Sequence, residues 1–328
     1  MRVSYRHPSV RLTGRWDVRN EKFAETTTTG AYVEFAFEGR MAMAMFDTWA
    51  NPEPRLHLWV QLDGGAMVQT PIDSYLRVIA PTDGRHVCRI IYKGGTEVHS
   101  RWYLPLEGKV SFVGFEAEKC VEIGEDTRKT IEFVGDSITE GVLIDTDYYG
   151  EGRPASPIDQ HNRVYQDDAC ATYAWQVAEA LDLRPIVMGY GAVGVTRSGQ
   201  GRVPAAPEAY PYNFEGSPIS RPEPDYILIN HGANDRRKPT DEYLAKYGEL
   251  LDVIRKINPN SKLISLSAFC GAHHEELGRF IAEYNEKNGT DIAFIDSYGW
   301  VPEEPLHPMR DGHTIIAKNL APLLKKVL

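Results

Sequence analysis

The sequence has little cysteine, no long apolar run and no surplus of basic charge. Only four of its 328 residues are cysteine. Cys88, Cys120, Cys170 and Cys270 are far apart and follow no metal-ligand or disulfide spacing, so they read as reduced, mostly buried thiols. No stretch of about 18 apolar residues occurs, so no membrane-spanning helix is expected. The opening Met1-Arg2-Val3-Ser4-Tyr5-Arg6-His7-Pro8 lacks the apolar core of a signal peptide, which makes a cytoplasmic location the expectation. Basic residues number 36 against 46 acidic, a net charge of −10. Phosphate backbones are bound by excess Lys and Arg, so nucleic acid is not an expected partner. The acid is unevenly placed: residues 1–125 hold 15 basic and 16 acidic residues, leaving 21 and 30 for residues 126–328.

What the sequence does contain is two kinds of periodicity. Val33, Phe35 and Phe37 alternate with Glu34, Ala36 and Glu38; Met41, Met43 and Met45 alternate with small residues; Leu56, Leu58, Val60 and Leu62 alternate with His57, Trp59 and Gln61. Period-two runs closed by Gly, Asp and Pro are half-buried strands. With no helical pattern between them, they predict an all-β sandwich (jelly-roll-like) domain over residues 1–125. The polar stretch Glu122–Thr130 reads as a linker. Beyond it, strand candidates (Ile131–Val134, Pro185–Met188, Tyr226–Asn230, Leu263–Phe269, Ile292–Ile295) alternate with segments of helical spacing (Tyr173–Leu181, Tyr243–Ile257, Leu277–Tyr284, Ile315–Leu324). That alternation predicts an α/β domain over residues 126–328, a parallel sheet with helices on both faces. Thr26–Thr29 reads as a loop or strand edge.

Ligands of open parallel sheets bind at the C-terminal ends of the strands. Four such ends carry chemistry. Gly135-Asp136-Ser137-Ile138-Thr139-Glu140-Gly141 allows a tight turn that presents Ser137, with helix N–H groups behind it, although a Ser there also serves as a helix cap. Gly189-Tyr190-Gly191-Ala192-Val193-Gly194 permits close backbone approach; it is equally a structural turn, and the full dinucleotide fingerprint is missing. His231-Gly232-Ala233-Asn234-Asp235 offers Asn234 as a neutral amide donor, or an Asx-turn. In Glu303-Glu304-Pro305-Leu306-His307-Pro308, a carboxylate three residues before a histidine can orient the imidazole through Nδ1 and leave Nε2 as base. His313 belongs to the start of the last helix. Together the four ends supply a nucleophile, a backbone donor, a side-chain donor and a base, the parts of an acyl-transfer site.

In these blocks the chain resembles the SGNH (GDSL-type) hydrolases over roughly residues 130–328. The resemblance implies an SGNH-type three-layer α/β/α fold. It implies Ser137 as nucleophile, Gly194 as backbone oxyanion donor, Asn234 as side-chain donor, and His307 as base. Three positions depart from the family pattern. Glu304 stands where Asp is usual, so Glu303, or a backbone carbonyl in a Ser–His dyad, is an alternative partner for His307. Gly189 and Val193 replace the usual Asn and Ser of the second block, so Gly191 rivals Gly194. A sandwich ahead of such a domain, opening on Thr13-Gly14-Arg15-Trp16-Asp17 and Val33–Gly39, is similar to carbohydrate esterase family two.

That resemblance implies a serine esterase that removes acetyl groups from carbohydrates such as xylo- or manno-oligosaccharides, with no metal or cofactor. His273-His274-Glu275-Glu276 invites a metal reading, but at a helix start it reads as solvated surface. Two long segments, Leu143–Thr172 (Tyr148, Tyr149, Tyr165) and Arg197–Pro224 (Tyr210, Tyr212, Phe214), are expected as loops whose aromatics either stack on sugar or only pack. Trp300 is expected to wall the acyl pocket. The sandwich either lends aromatics such as Trp49 or Trp59, buttresses the site, or makes a homo-oligomer contact. The acidic C-terminal part is expected to disfavour anionic substrates. The rival readings are a lipase or thioesterase, and a non-catalytic glycan-binding protein.

Overall fold

The alternating runs of the N-terminal part pair antiparallel throughout. A computed structural model describes residues 1–145 and 160–328, and in it nine strands between Arg2 and Cys120 form one sheet system. The longest strand, Tyr32–Phe46, takes in both the Val33–Phe37 run and the methionine run. One face of the first run gives the core: Val33, Phe35 and Phe37 are buried with Leu58, Ile90, Phe112 and Phe115, and the Phe35 and Phe115 rings stack at 4.4 Å. Aromatic pairs at that spacing add about 0.5–1.5 kcal/mol beyond burial.

The pattern changes between Cys120, where the last antiparallel strand ends, and Thr130, where the first parallel strand begins. Five strands follow: β1 (Thr130–Gly135), β2 (Arg184–Gly189), β3 (Tyr226–Asn230), β4 (Lys262–Leu266) and β5 (Ala293–Ile295), all parallel in the order β2-β1-β3-β4-β5. The principal helices are α1 (Ser137–Glu140), α2 (Tyr173–Ala180), α3 (Thr240–Ile257), α4 (His274–Asn288) and α5 (Arg310–Val327). Successive strand residues point to opposite faces, and each face has its own core. Val134, Ile227 and Ile229 pack with Tyr243, Leu250 and Ile254 of α3 and Leu277 of α4. Ile131, Phe133 and Leu228 pack with Tyr173 and Val177 of α2 and Ile316 and Leu320 of α5. This is the three-layer α/β/α arrangement that the resemblance to the SGNH hydrolases implies.

The β-rich part is joined to the α/β part through buried charge. Arg15 reaches β1, where its Nε donates to Glu132 Oε1 at 2.9 Å, and Arg221 donates to Oε2 at 2.5 Å. Burial alone would raise the Glu132 carboxyl; the two guanidiniums overcome this and hold it at about 2. The Thr26–Thr29 run is part of this contact. Thr27 Oγ1 lies 2.9 Å from the Tyr190 hydroxyl, and Thr29 Oγ1 donates to the Glu140 carbonyl at 2.9 Å. Lys93, also buried, donates to the carbonyls of Val164, Tyr165 and Asp167.

The two long loops need revision. Tyr148 and Tyr149 lie outside the described residues. The rest of Leu143–Thr172 includes the helix Gln160–Gln166 and a 3-10 turn at Ala169–Ala171. Arg197–Pro224 is also not structureless: it holds a short helix, Ala206–Ala209, and a hairpin of Tyr212–Phe214 with Ser217–Pro218. Tyr210 and Phe214 are core residues, and the Tyr210 hydroxyl donates to Glu132 Oε2 at 2.7 Å.

Candidate active site

Strand register decides where the site forms. Gly135 pairs with Gly189 on one side and Asn230 on the other, so three strands end at one level and release their loops together. Gly135 has to be glycine, because a Cβ there would run into Thr139 and into the Asn230 carbonyl at 2.9 Å. The chain then turns sharply: Asp136 caps α1, its Oδ1 accepting from the Ile138 N–H at 3.0 Å, and Ser137 is the first helical residue. That helix is a single turn, so it offers a few N–H groups and no extended dipole.

Ser137 Oγ lies 2.7 Å from His307 Nε2, a contact that spans 170 residues of chain. This is hydrogen-bond reach for a nucleophile and its base. The Asn234 amide Nδ2 donates to the Val193 carbonyl at 3.0 Å and, more weakly, to Oδ2 of Asp136, the residue before Ser137, at 3.3 Å. Burial raises the Asp136 carboxyl to about 7; the Ile138 N–H opposes the rise and the nearby Asp235 charge adds to it. Asp235 is itself buried and staples the second block to the third. It accepts from the Val195 N–H at 3.1 Å, the Thr196 N–H at 2.9 Å and the Thr196 hydroxyl at 2.6 Å.

Two expected roles do not match the geometry. The Gly194 N–H donates to the Arg197 carbonyl at 3.0 Å, closing a tight loop, so it is committed away from Ser137. A Cβ on Gly194 would meet the Asp235 carboxylate at 2.6 Å, so this glycine is required by packing. Among the described residues the N–H groups of Gly191 and Ala192 carry no hydrogen bond, and Ala192 sits in the left-handed region at φ 58°. A non-glycine residue held there is the kind of strain that collects at functional turns. Glu304 is exposed, and its carboxylate folds back on its own chain: Oε2 accepts from the Leu306 N–H at 3.2 Å, and no ion pair joins it to His307. Glu303 is turned to the Tyr298 hydroxyl at 3.4 Å.

The remaining residues fall into place around this pair. Trp300, Leu306 and Cys270 are each partly buried against the large core cluster of the α2/α5 face, which also includes Phe133, Ile138 and Ala233. His313 is in the first turn of α5, and its Nδ1 accepts from the Tyr173 N–H at 3.0 Å. Burial lowers His313 to about 3, so it is neutral. His273 bonds Thr240 and the Asp235 carbonyl, His274 bonds Asp296, and among the described residues no cluster of His, Cys, Asp and Glu could hold a metal. Trp59 donates to Asp168 Oδ1 at 3.0 Å, whereas Trp49 is 85% exposed. All four cysteines are free, and among the described residues no helix is long and apolar enough to cross a membrane. Sequence reasoning missed Asp136, Asp235 and the Arg101–Glu140 pair; the first two stand inside the quoted blocks, but no local signal says that they face the same amide loop.

A serine and a histidine joined at the C-terminal edge of a parallel sheet, beside an amide, define an acyl-transfer hydrolase. Residues 133–315 match the GDSL-like Lipase/Acylhydrolase family, and the chain belongs to that family. It is 24% identical over 216 residues to a Cellvibrio japonicus protein named acetylxylan esterase / glucomannan deacetylase. That match covers 61% of this chain and spans only 58% of the relative's length. Solved structures share the fold along the whole chain. A family two carbohydrate esterase from Cellvibrio japonicus matches at a TM-score of 0.79 and 18% identity, covering 100% of this chain and 97% of that one. An acetyl xylan esterase from Butyrivibrio proteoclasticus matches at 0.79 and 19%, covering 99% and 98%. A family two carbohydrate esterase from Clostridium thermocellum, in complex with cellohexaose, matches at 0.78 and 18%, covering 97% and 98%.

Proposed function

We propose that this chain is a serine esterase that removes acetyl groups from O-acetylated carbohydrates. The observation that carries the reading is the 2.7 Å contact between Ser137 Oγ and His307 Nε2 in a chain of the GDSL-like family. The carbohydrate part is supported by likeness to family two carbohydrate esterases that includes the antiparallel part as well as the hydrolase fold. His307 takes the Ser137 proton as Oγ attacks the acetyl carbonyl. The tetrahedral oxyanion is held by the Ser137 N–H, by the Asn234 amide proton that otherwise rests weakly on Asp136, and by the N–H of Gly191 or Ala192 in place of Gly194. As the C–O bond to the sugar breaks, His307 protonates the leaving sugar oxygen, and water then hydrolyses the acetyl ester left on Ser137 to free acetate. Xylo- and manno-oligosaccharides are the proposed carriers, with Trp300 against the acyl group.

The test is hydrolysis of 4-nitrophenyl acetate, butyrate and octanoate, together with acetate release from acetylated xylo- and manno-oligosaccharides. Wild type should prefer acetate and release it from at least one glycan, and Ser137→Ala should be inactive. A preference for octanoate would assign the chain to the lipases instead.

A further inference from the structure

The parallel sheet has a second edge, opposite the catalytic one, and the β-rich part lies against it. Thr130 opens β1, Arg184 opens β2 and Asp225 directly precedes β3. These three residues, the stretch 220–223 and residues of the β-rich segment 12–18 line one cavity of about 330 Å³. That is the lower end of the size range of small-ligand pockets, about 300–1,000 Å³, which form preferentially where two parts of a protein meet. At about 3.3 Å per residue, the five steps of β1 keep the cavity about 16 Å from the turn that presents Ser137.

The buried wall is formed by Thr13, Gly14, Trp16 and Ile186. The Trp16 indole is pinned there, its Nε1 donating to the Thr13 carbonyl at 3.0 Å. The Thr13 hydroxyl is buried with no hydrogen-bond partner among the described residues. Buried polar atoms are nearly always bonded, so a hydroxyl left open on a cavity wall marks a place for a polar occupant. Four charged side chains line the cavity, two of each sign. Arg221 is spent on Glu132, Asn258 and the Pro222 carbonyl, and Glu223 on Asn260 and Ser261. Arg184 is not spent. Its Nε donates to the Arg128 carbonyl at 3.1 Å and lies 4.0 Å from Asp126, while its two terminal nitrogens carry no hydrogen bond among the described residues. Asp225 is half spent: Oδ2 accepts from the Thr130 N–H at 2.8 Å and the Thr130 hydroxyl at 3.1 Å, and Oδ1 from no described group.

We propose that this cavity is a second binding site, for an uncharged ligand rich in hydroxyls and one or two sugar rings in size. A hydroxyl donates and accepts at once, so neighbouring hydroxyls of one ring can accept from Arg184 and donate to Asp225 and Thr13. Hydrogen bonds to charged groups are the stronger kind, and the C–H face of the ring covers the apolar wall. A ligand with net charge gains from one of Arg184 and Asp225 and is opposed by the other. The ligand class rests on the cavity alone, and the choice of xylose- and mannose-based probes rests on the deacetylase reading. Because the walls come from both parts of the chain, a bound sugar also clamps them together and should raise the melting temperature.

The experiment titrates xylobiose and mannobiose into the whole chain and follows the tryptophan indole N–H signals by NMR, with Trp16→Phe to identify the signal of Trp16. That signal should move saturably with at least one disaccharide, with a Kd of about 0.1–1 mM. In the Thr13→Val/Arg184→Met variant the affinity should fall by about tenfold or more, while kcat and KM on 4-nitrophenyl acetate stay at wild-type values. Glucuronate and glucosamine should bind less tightly than glucose. A Trp16 signal that stays still with both disaccharides, undiminished affinity in the variant, or a charged sugar that binds as tightly as glucose would overturn the proposal while leaving the deacetylase reading intact. Failure of that reading is distinguishable, as absence of acetate release from glycans and from 4-nitrophenyl acetate, which the titration does not measure.

Discussion

The guanidinium of Arg101, from the β-rich part, donates to the carboxylate of Glu140, three residues beyond the nucleophile, and both side chains are buried. The turn that presents Ser137 is therefore held from outside the parallel sheet. Breaking a buried pair by removing one partner typically costs about 3–5 kcal/mol, because the other charge is stranded. Arg101→Met should lower both the melting temperature and kcat, and adding Glu140→Gln should restore part of the stability. Calorimetry on the single and double variants checks this, and a wild-type melting temperature for Arg101→Met alone would contradict it.

Asp136 uses both oxygens, Oδ1 for the Ile138 N–H and Oδ2 for the Asn234 amide. An amide has one acceptor oxygen and cannot replace both. Asp136→Asn should therefore loosen Asn234 and reduce kcat on 4-nitrophenyl acetate by about tenfold to a hundredfold, with KM little changed. Steady-state kinetics decides the matter, and an unchanged kcat would mean that Asn234 is positioned by the Val193 carbonyl alone.

Glu304 serves its own loop, so Glu304→Gln should keep kcat within about twofold of wild type, as expected for an exposed carboxylate on a backbone N–H. A tenfold loss in the same assay would show that its carboxylate does reach His307 during turnover.

His231 is buried beside the site with neither ring nitrogen hydrogen-bonded among the described residues. Burial lowers it to about 4, against a weaker opposing pull from Asp235. A histidine whose folded value lies below the ordinary 6.5 stabilises the fold above pH 6.5 and loses that contribution as pH falls toward 4. The protein should weaken over that window, by up to about 3 kcal/mol from this residue. His231→Leu should flatten the decline, read as melting temperature against pH, and a slope unchanged by the substitution would assign the acid sensitivity to other groups.

Local pattern carried much of this molecule. Tyr226–Asn230 was readable from its apolar run and proved to be β3 to the residue, and the helix periods located α2 to α5 within a few positions. The four strand ends followed from the rule that parallel sheets bind at their C-terminal edge, and Ser137 and His307 do meet there. What the pattern could not carry was commitment of individual groups over long range. Nothing near Gly194 announces that its N–H is taken by Arg197, and nothing near Tyr210 announces that Glu132 claims its hydroxyl 78 residues away. The same holds for charge. A net count weighs Glu132 and Arg237 alike, although one is neutralised by two arginines in the interior and the other is exposed to solvent.

Lys93 ends on three backbone carbonyls of the segment that leads into α2, and Arg15 ends on β1. Proteins assembled as beads on a string can be cut at the linker, and their catalytic piece expressed or transplanted alone. A cut between Cys120 and Thr130 would here strip Glu132, Glu140 and those carbonyls of cations that reside in the other piece. The unit that can be engineered, shuffled or inherited with its activity is therefore the pair, and the strand-rich part is inseparable from it.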